Sequence, residues 1–208
     1  MTQIIQTADI ENMDRRHRAN LFNTLSGYKG VHLIGTANAQ EQTNLALFNS
    51  VMHIGANPPL LGFIVRPATI ARHTYKNIKE TGFYTINHVL VDHYEKAHQT
   101  SAKYPKGTSE FEACGFEPIY TNTHPAPYVE ECSIKIGLEY VEEHLIQANQ
   151  TILLIGKIIE LILPQQAIGL NGHLDLAALD SVAVVGLDTY YKMDKIKQLG
   201  YAKPQAGE

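Results

Sequence analysis

The sequence predicts a mainly β protein, a barrel decorated by short helices. Three observations carry that expectation. Runs rich in β-branched and aromatic residues recur along the chain, bounded by turn residues. Long helical segments are few, and strand–helix alternation is confined to one region of the first half. No G-x-G-x-x-G and no G-x-x-x-x-G-K-[ST] occurs, which removes the main warrant for a doubly wound or phosphate-loop sheet.

The elements follow in order. Residues 12–22 hold good helix formers and few breakers, and Ser26-Gly27 marks the stop. Residues 31–37 read as a strand, 38–42 as a polar turn, and 44–53 as a second strand or its approach. Asn57-Pro58-Pro59 is a turn before an apolar strand at 60–65. A short helix spans 70–80, ended by Thr81-Gly82, and residues 83–87 form another strand. A loop-rich insertion covers 91–127, with short helices near 94–101 and 109–114. Two long apolar runs, 132–139 and 150–163, are too β-branched for helices. Gly156 marks a bulge or bend in the second. Residues 180–187 form the last strand, and the tail 192–208 is polar, part helix and part coil. There is no repeat, low-complexity tract or linker, so 1–208 reads as one domain with its core at about 23–191.

Composition narrows the functional classes. Apolar residues make up 44% and charged residues 18% of 208, an ordinary globular balance. The formal net charge of −4 argues against a nucleic-acid partner. No run is long enough to span a bilayer, and residues 1–12 lack the apolar segment of a signal peptide, so a reducing cytoplasm is the expected compartment. Cys114 and Cys132 lack the spacing of a metal knuckle or redox pair and read as ordinary buried thiols. Ten histidines include no pair with reliable ligand spacing, so no metal site is expected.

The most informative block starts at Thr43-Asn44-Leu45-Ala46-Leu47-Phe48-Asn49-Ser50-Val51 and turns at Asn57-Pro58-Pro59 into Leu60-Leu61-Gly62-Phe63-Ile64-Val65. Arg72-His73-Thr74-Tyr75-Lys76-Asn77-Ile78 and Gly82-Phe83-Tyr84-Thr85-Ile86-Asn87 follow. This order resembles the flavin reductase-like family, the FMN-binding split-barrel proteins. The likeness extends to Glu110-Phe111-Glu112-Ala113-Cys114-Gly115, to Ala126-Pro127-Tyr128-Val129-Glu130-Glu131-Cys132, and to residues 150–160. It covers roughly residues 23–191.

The resemblance implies an FMN-binding split β-barrel of Greek-key type, assembled as a homodimer with the flavin near the interface. FMN needs donors and a cation for its phosphate, amide partners for the polar edge of the ring, and an apolar wall. Asn44, Asn49 and Ser50 could supply donors, and Phe48 and Val51 the wall. Phe48 stands where many relatives carry a small residue, so it either crowds the ring site or walls it, and FAD stays open beside FMN. Arg66, Arg72, His73 and Thr74 would clamp the phosphate, with Thr74 expected as a helix N-cap. Tyr190 matches a tyrosine near the flavin or the dimer partner in relatives; closing the barrel end is its other reading. No catalytic acid or base is needed for hydride transfer. The implied activity is reduction of flavin by NADH or NADPH, feeding a monooxygenase or another electron acceptor. The alternatives are a flavoredoxin-like electron carrier and a non-redox β-barrel that binds another small ligand.

Overall fold

The computed structural model describes residues 1–66, 72–105 and 107–204. Two helices lead, α1 (Thr7–Asn12) and α2 (Arg15–Thr24), where the sequence suggests one. The break falls at Asp14, whose carboxylate accepts from the Arg16 and His17 N–H groups at 2.9 Å and so caps α2. The strands β1 (Lys29–Gly30), β2 (His32–Ala37), β3 (Thr43–Phe48), β4 (Met52–Ala56) and β5 (Pro59–Val65) follow. Then come α3 (His73–Thr81), β6 (Phe83–His88), α4 (Tyr94–Gln99), α5 (Glu110–Cys114), β7 (Pro118–Ile119) and β8 (Tyr128–Val129). The chain continues through β9 (Lys135–Ile146), β10 (Thr151–Ile162), β11 (Val182–Val185) and β12 (Thr189–Lys192). No helix among the described residues is long and apolar enough to cross a membrane.

Seven strands form one antiparallel sheet in the order β3-β2-β6-β9-β10-β5-β4. Its two edges, β3 and β4, are neighbours in sequence, joined by Asn49, Ser50 and Val51 alone. A flat sheet of seven strands would hold its edges roughly 29 Å apart. The step from Phe48 to Met52 reaches at most about 14 Å. The sheet must therefore roll up, and the roll is split where β3 and β4 diverge. Ser50 sits in that split: its Oγ accepts from the Ile64 N–H at 3.1 Å and lies 3.4 Å from the Ile64 carbonyl. The single strand expected over 44–53 is two strands for this reason.

Successive residues of β2 and β6 face opposite sides, and both sides are covered. Ile34, Tyr84 and Ile86 point into the barrel with Phe63, Ile78, Leu138 and Leu154. Leu33 and Leu45 pack outside with Val89, Phe111, Phe116, Val129, Val182 and Val184, under the insertion and the small β1-β11-β12 sheet. A strap at 124–129 crosses the outer face. Thr85 Oγ1 donates to the Pro127 carbonyl at 2.6 Å, and Asn87 Oδ1 accepts from the Val129 N–H at 3.1 Å. Gly35 permits that approach, because a Cβ there would meet the Pro127 carbonyl and come 2.7 Å from Thr85 Oγ1.

The remaining differences are physical. β9 runs on to Ile146, past the expected end at 139, because pairing with β10 continues beyond the barrel as a hairpin. Strand pairing starts only at Lys135, after the strap has turned. The final strand shrinks to β11, and Tyr190-Tyr191, just past the expected strand, lie on its hairpin partner β12. The described part of the tail, 193–204, holds no helix. Gly156 does lie at a register shift.

Candidate functional site

Part of the expected block comes together. Asn44 on β3 and Thr74 on α3 are both buried, and Asn44 Nδ2 donates to Thr74 Oγ1 at 3.0 Å. One turn further along α3, Asn77 Nδ2 donates to Thr36 Oγ1 at 3.1 Å. These two bonds and the buried Ile78 lock the helix onto β2 and β3. Thr74 is not the N-cap; Arg72 is, with extended backbone and no side-chain cap, and His73 opens the helix. The first-turn N–H groups of α3 thus lack a side-chain cap, which is what a helix N-terminus needs to receive an anion.

Arg72 supplies a second, independent sign. Its Nε is buried with no hydrogen-bond partner among the described residues. A buried guanidinium N–H left unpaired is costly, and an anion held at the start of α3 would satisfy it. His73 is exposed beside it. Arg66 is exposed at the end of β5, and the stretch between it and Arg72, including the expected helix start at 70–71, lies outside the described residues.

The other expected residues are placed less simply. Asn49 Nδ2 donates to the Gly186 carbonyl at 2.9 Å, tying the β3–β4 joint to the β11–β12 turn. The Ser50 hydroxyl is engaged by Ile64. Both residues shape the split, and their own backbone groups stand where the ladder is interrupted. Phe48 is half-buried and meets Phe63 edge-on, with ring centroids 5.0 Å apart. Val51 packs against the same inner core. Phe48 is therefore part of the barrel wall. Tyr190 lies apart from this group, its hydroxyl 2.9 Å from His98 Nδ1 and its ring beside Tyr94.

Three contributors were not anticipated. Glu110 Oε2 accepts from the Leu45 N–H at 3.1 Å, filling the open edge of β3. Ser109 Oγ lies 2.7 Å from Thr43 Oγ1. Both come from the insertion, so α5 is fastened beside the split; no local pattern marks a pairing 65 residues apart. His32 sits on β2 directly between Phe48 of β3 and His88 of β6. The two imidazoles pack edge-on at 4.6 Å. Burial holds both neutral, pushing His32 well below the ordinary histidine range and His88 down to about 4. A cleft of about 540 Å³, lined by Glu41, Phe83 and Tyr120 among others, holds none of the expected site residues. The thiols behave as expected: burial pushes Cys132 up to about 12 and raises Cys114.

The comparisons with known proteins agree with this architecture. The family model for the flavin reductase like domain matches residues 26–174. The chain belongs to the flavin reductase-like family. A candidate flavin reductase with split barrel domain from Shewanella frigidimarina is 45% identical, with a TM-score of 0.93 over 97% of this chain and 100% of that one. Nitrilotriacetate monooxygenase component B from Bacillus cereus shares the fold at 18% identity and a TM-score of 0.82, covering 95% of this chain and 100% of its own. Flavoredoxin of Desulfovibrio vulgaris does so at 22% identity and 0.73, covering 86% and 94%. The family membership and the split barrel make this a flavin-related protein with mainly antiparallel strands.

Proposed function

We propose that this chain binds FMN non-covalently at the barrel split and acts as an NAD(P)H-dependent flavin reductase. The observation that carries the reading is the start of α3. There an uncapped helix N-terminus and the unpartnered Nε of Arg72 adjoin the buried Asn44–Thr74 pair. Arg72 and the α3 N–H groups would hold the phosphate, with His73 and Arg66 adding positive character. The interrupted backbone at Asn49 and Ser50 would offer partners to the ring, and Val51 an apolar contact. Bound there, FMN would supply the hydride-accepting chemistry, and its electrons would pass to a monooxygenase component or another acceptor. The chain's own part is to bind and orient; neither His32 nor His88 is required to move a proton. The nitrilotriacetate monooxygenase relative favours this reductase reading. The flavoredoxin relative favours a second one, in which the protein carries electrons without using a nicotinamide.

Titrating the protein into FMN while following flavin fluorescence tests binding, and quenching with a midpoint in the micromolar range is expected. Absence of quenching at micromolar protein defeats the FMN site. Adding NADH or NADPH anaerobically to the bound flavin then separates the readings. Bleaching of the visible absorbance supports the reductase, and a flavin that bleaches only with dithionite supports the carrier.

A further inference from the structure

Between the turn at Val91–Tyr94 and the β11–β12 hairpin lies a second, open cavity of about 400 Å³, a cleft on the surface. Its volume falls in the range of small-molecule sites. Val91 and Val182 give it an apolar floor. Tyr94 and Tyr190 line it with two aromatic rings packed against each other, their centroids 5.4 Å apart and their planes tilted by 44°. The Tyr190 ring is held in place: its hydroxyl bonds to His98 Nδ1 at 2.9 Å, and the His98 ring meets it edge-on at 5.7 Å.

The charges around this cavity are one-sided. Lys192 lines it, but Lys192 Nζ is 2.8 Å from Asp180 Oδ1. Asp180 raises the lysine above its ordinary range, and Asp194 and Asp92 add to the effect. Asp188, also on the lining, has one side-chain hydrogen bond among the described residues, accepted from the neighbouring Thr189 hydroxyl at 3.3 Å. Its charge reaches the cavity: burial, with Asp188 adding to it, pushes the Tyr190 hydroxyl up to about 12. Two electron-rich rings, an apolar floor and a carboxylate with no cationic partner among the described residues attract a positive ligand and disfavour an anion.

We propose that this cavity is a second ligand site, separate from the α3 anion site, for a small organic cation of the N-alkylpyridinium or quaternary ammonium class. The cation rests against the Tyr94 and Tyr190 rings, and Asp188 balances its charge. The site does not depend on the flavin reading, since none of its walls belongs to the α3 cradle.

Ligand-observed NMR titration of the whole chain tests it with three probes: 1-methylnicotinamide, uncharged nicotinamide and benzyltrimethylammonium. The expected result is millimolar or tighter binding of at least one cation, with nicotinamide at least about fivefold weaker. Preference between the two cations distinguishes a flat pyridinium from a quaternary head. Asp188→Asn should weaken the cation about fivefold or more and leave nicotinamide unchanged. Tyr94→Leu should weaken both, because it removes a ring face and no charge. Circular dichroism and FMN binding of each variant serve as independent checks of folding. Equal affinity for charged and uncharged probes, an unaltered cation affinity in Asp188→Asn, or no binding of any probe at about 10 mM would each overturn the proposal. A protein that takes the cation but not FMN would instead overturn the flavin reading alone.

Discussion

At the residue scale the site turns on how few side chains remain unsatisfied. Asn44 and Thr74 satisfy each other, and Asn49 and Ser50 spend side-chain groups on Gly186 and Ile64. Arg72 is different, because its buried Nε has no partner among the described residues. If that group meets a phosphate, replacing it should discriminate between ligands with and without one. Arg72→Ala is expected to weaken FMN by ~1.5–3 kcal/mol, about 10- to 150-fold, and to leave riboflavin nearly unchanged. Parallel fluorescence titrations measure both, and equal losses would place Arg72 away from the phosphate. Thr74→Ala is a poorer probe, since it strands the buried Asn44 amide and costs stability as well.

At the element scale, the fold is written into a few positions where backbone and side chain exclude each other. Gly156 is the plainest. A Cβ there would lie on the Tyr84 hydroxyl and 2.8 Å from Tyr84 Cζ. Tyr84 is fully buried in the inner core and its hydroxyl has no hydrogen-bond partner among the described residues. The ring cannot retreat without displacing Phe63, which it meets at 5.6 Å. Gly156→Ala should therefore cost about 1–3 kcal/mol in urea unfolding, the usual range for overpacking. Tyr84→Phe in the same background should recover part of that loss, because it deletes the nearest atom. An unchanged midpoint for Gly156→Ala would show that the bulge at β10 has slack. The glycine was legible as a bulge from its place in a β-branched run; its reason, a tyrosine 72 positions earlier, was not. The same division holds elsewhere. Apolar alternation and turn residues located β2, β5, β6 and both short insertion helices. The joint at Asn49–Val51 was hidden, because nothing local says that two consecutive strands lie at opposite sheet edges. Arg72 and Thr74, which the proposed anion site uses, stood out in the sequence as residue types in order. The cap assignment was off by two positions, since Thr74 is turned inward by Asn44.

At the scale of the whole molecule, one chain leaves too much apolar structure uncovered. The edge strand β4 carries Met52 at 39% and Ile54 at 38% exposure, and no charged residue. Sheet edges in monomers are normally protected by charges or short length. The β9–β10 hairpin exposes Val141 at 48%, Leu145 at 49% and Leu161 at 55%. The leading helices α1 and α2 hold no fully buried residue, and Phe22 and, just past α2, Leu25 are apolar and exposed. Helices of 6 and 10 residues are marginal in water without packing. Over the first half of β10, Leu154 and Ile155 are buried within the chain itself. Leu161, β4 and the leading helices have no such cover among the described residues. A second copy is the simplest cover, and two-fold pairing is the commonest arrangement. We therefore expect light scattering at micromolar concentration to give twice the 23.1 kDa of one chain. Ile54→Lys, which places a charge on the bare edge without touching the buried core, should shift that mass toward one chain while circular dichroism stays unchanged. If FMN is held near the dimer interface, its affinity should fall with the same variant. A single-chain mass for the unmodified protein with flavin still bound would defeat the dimer and the shared site together.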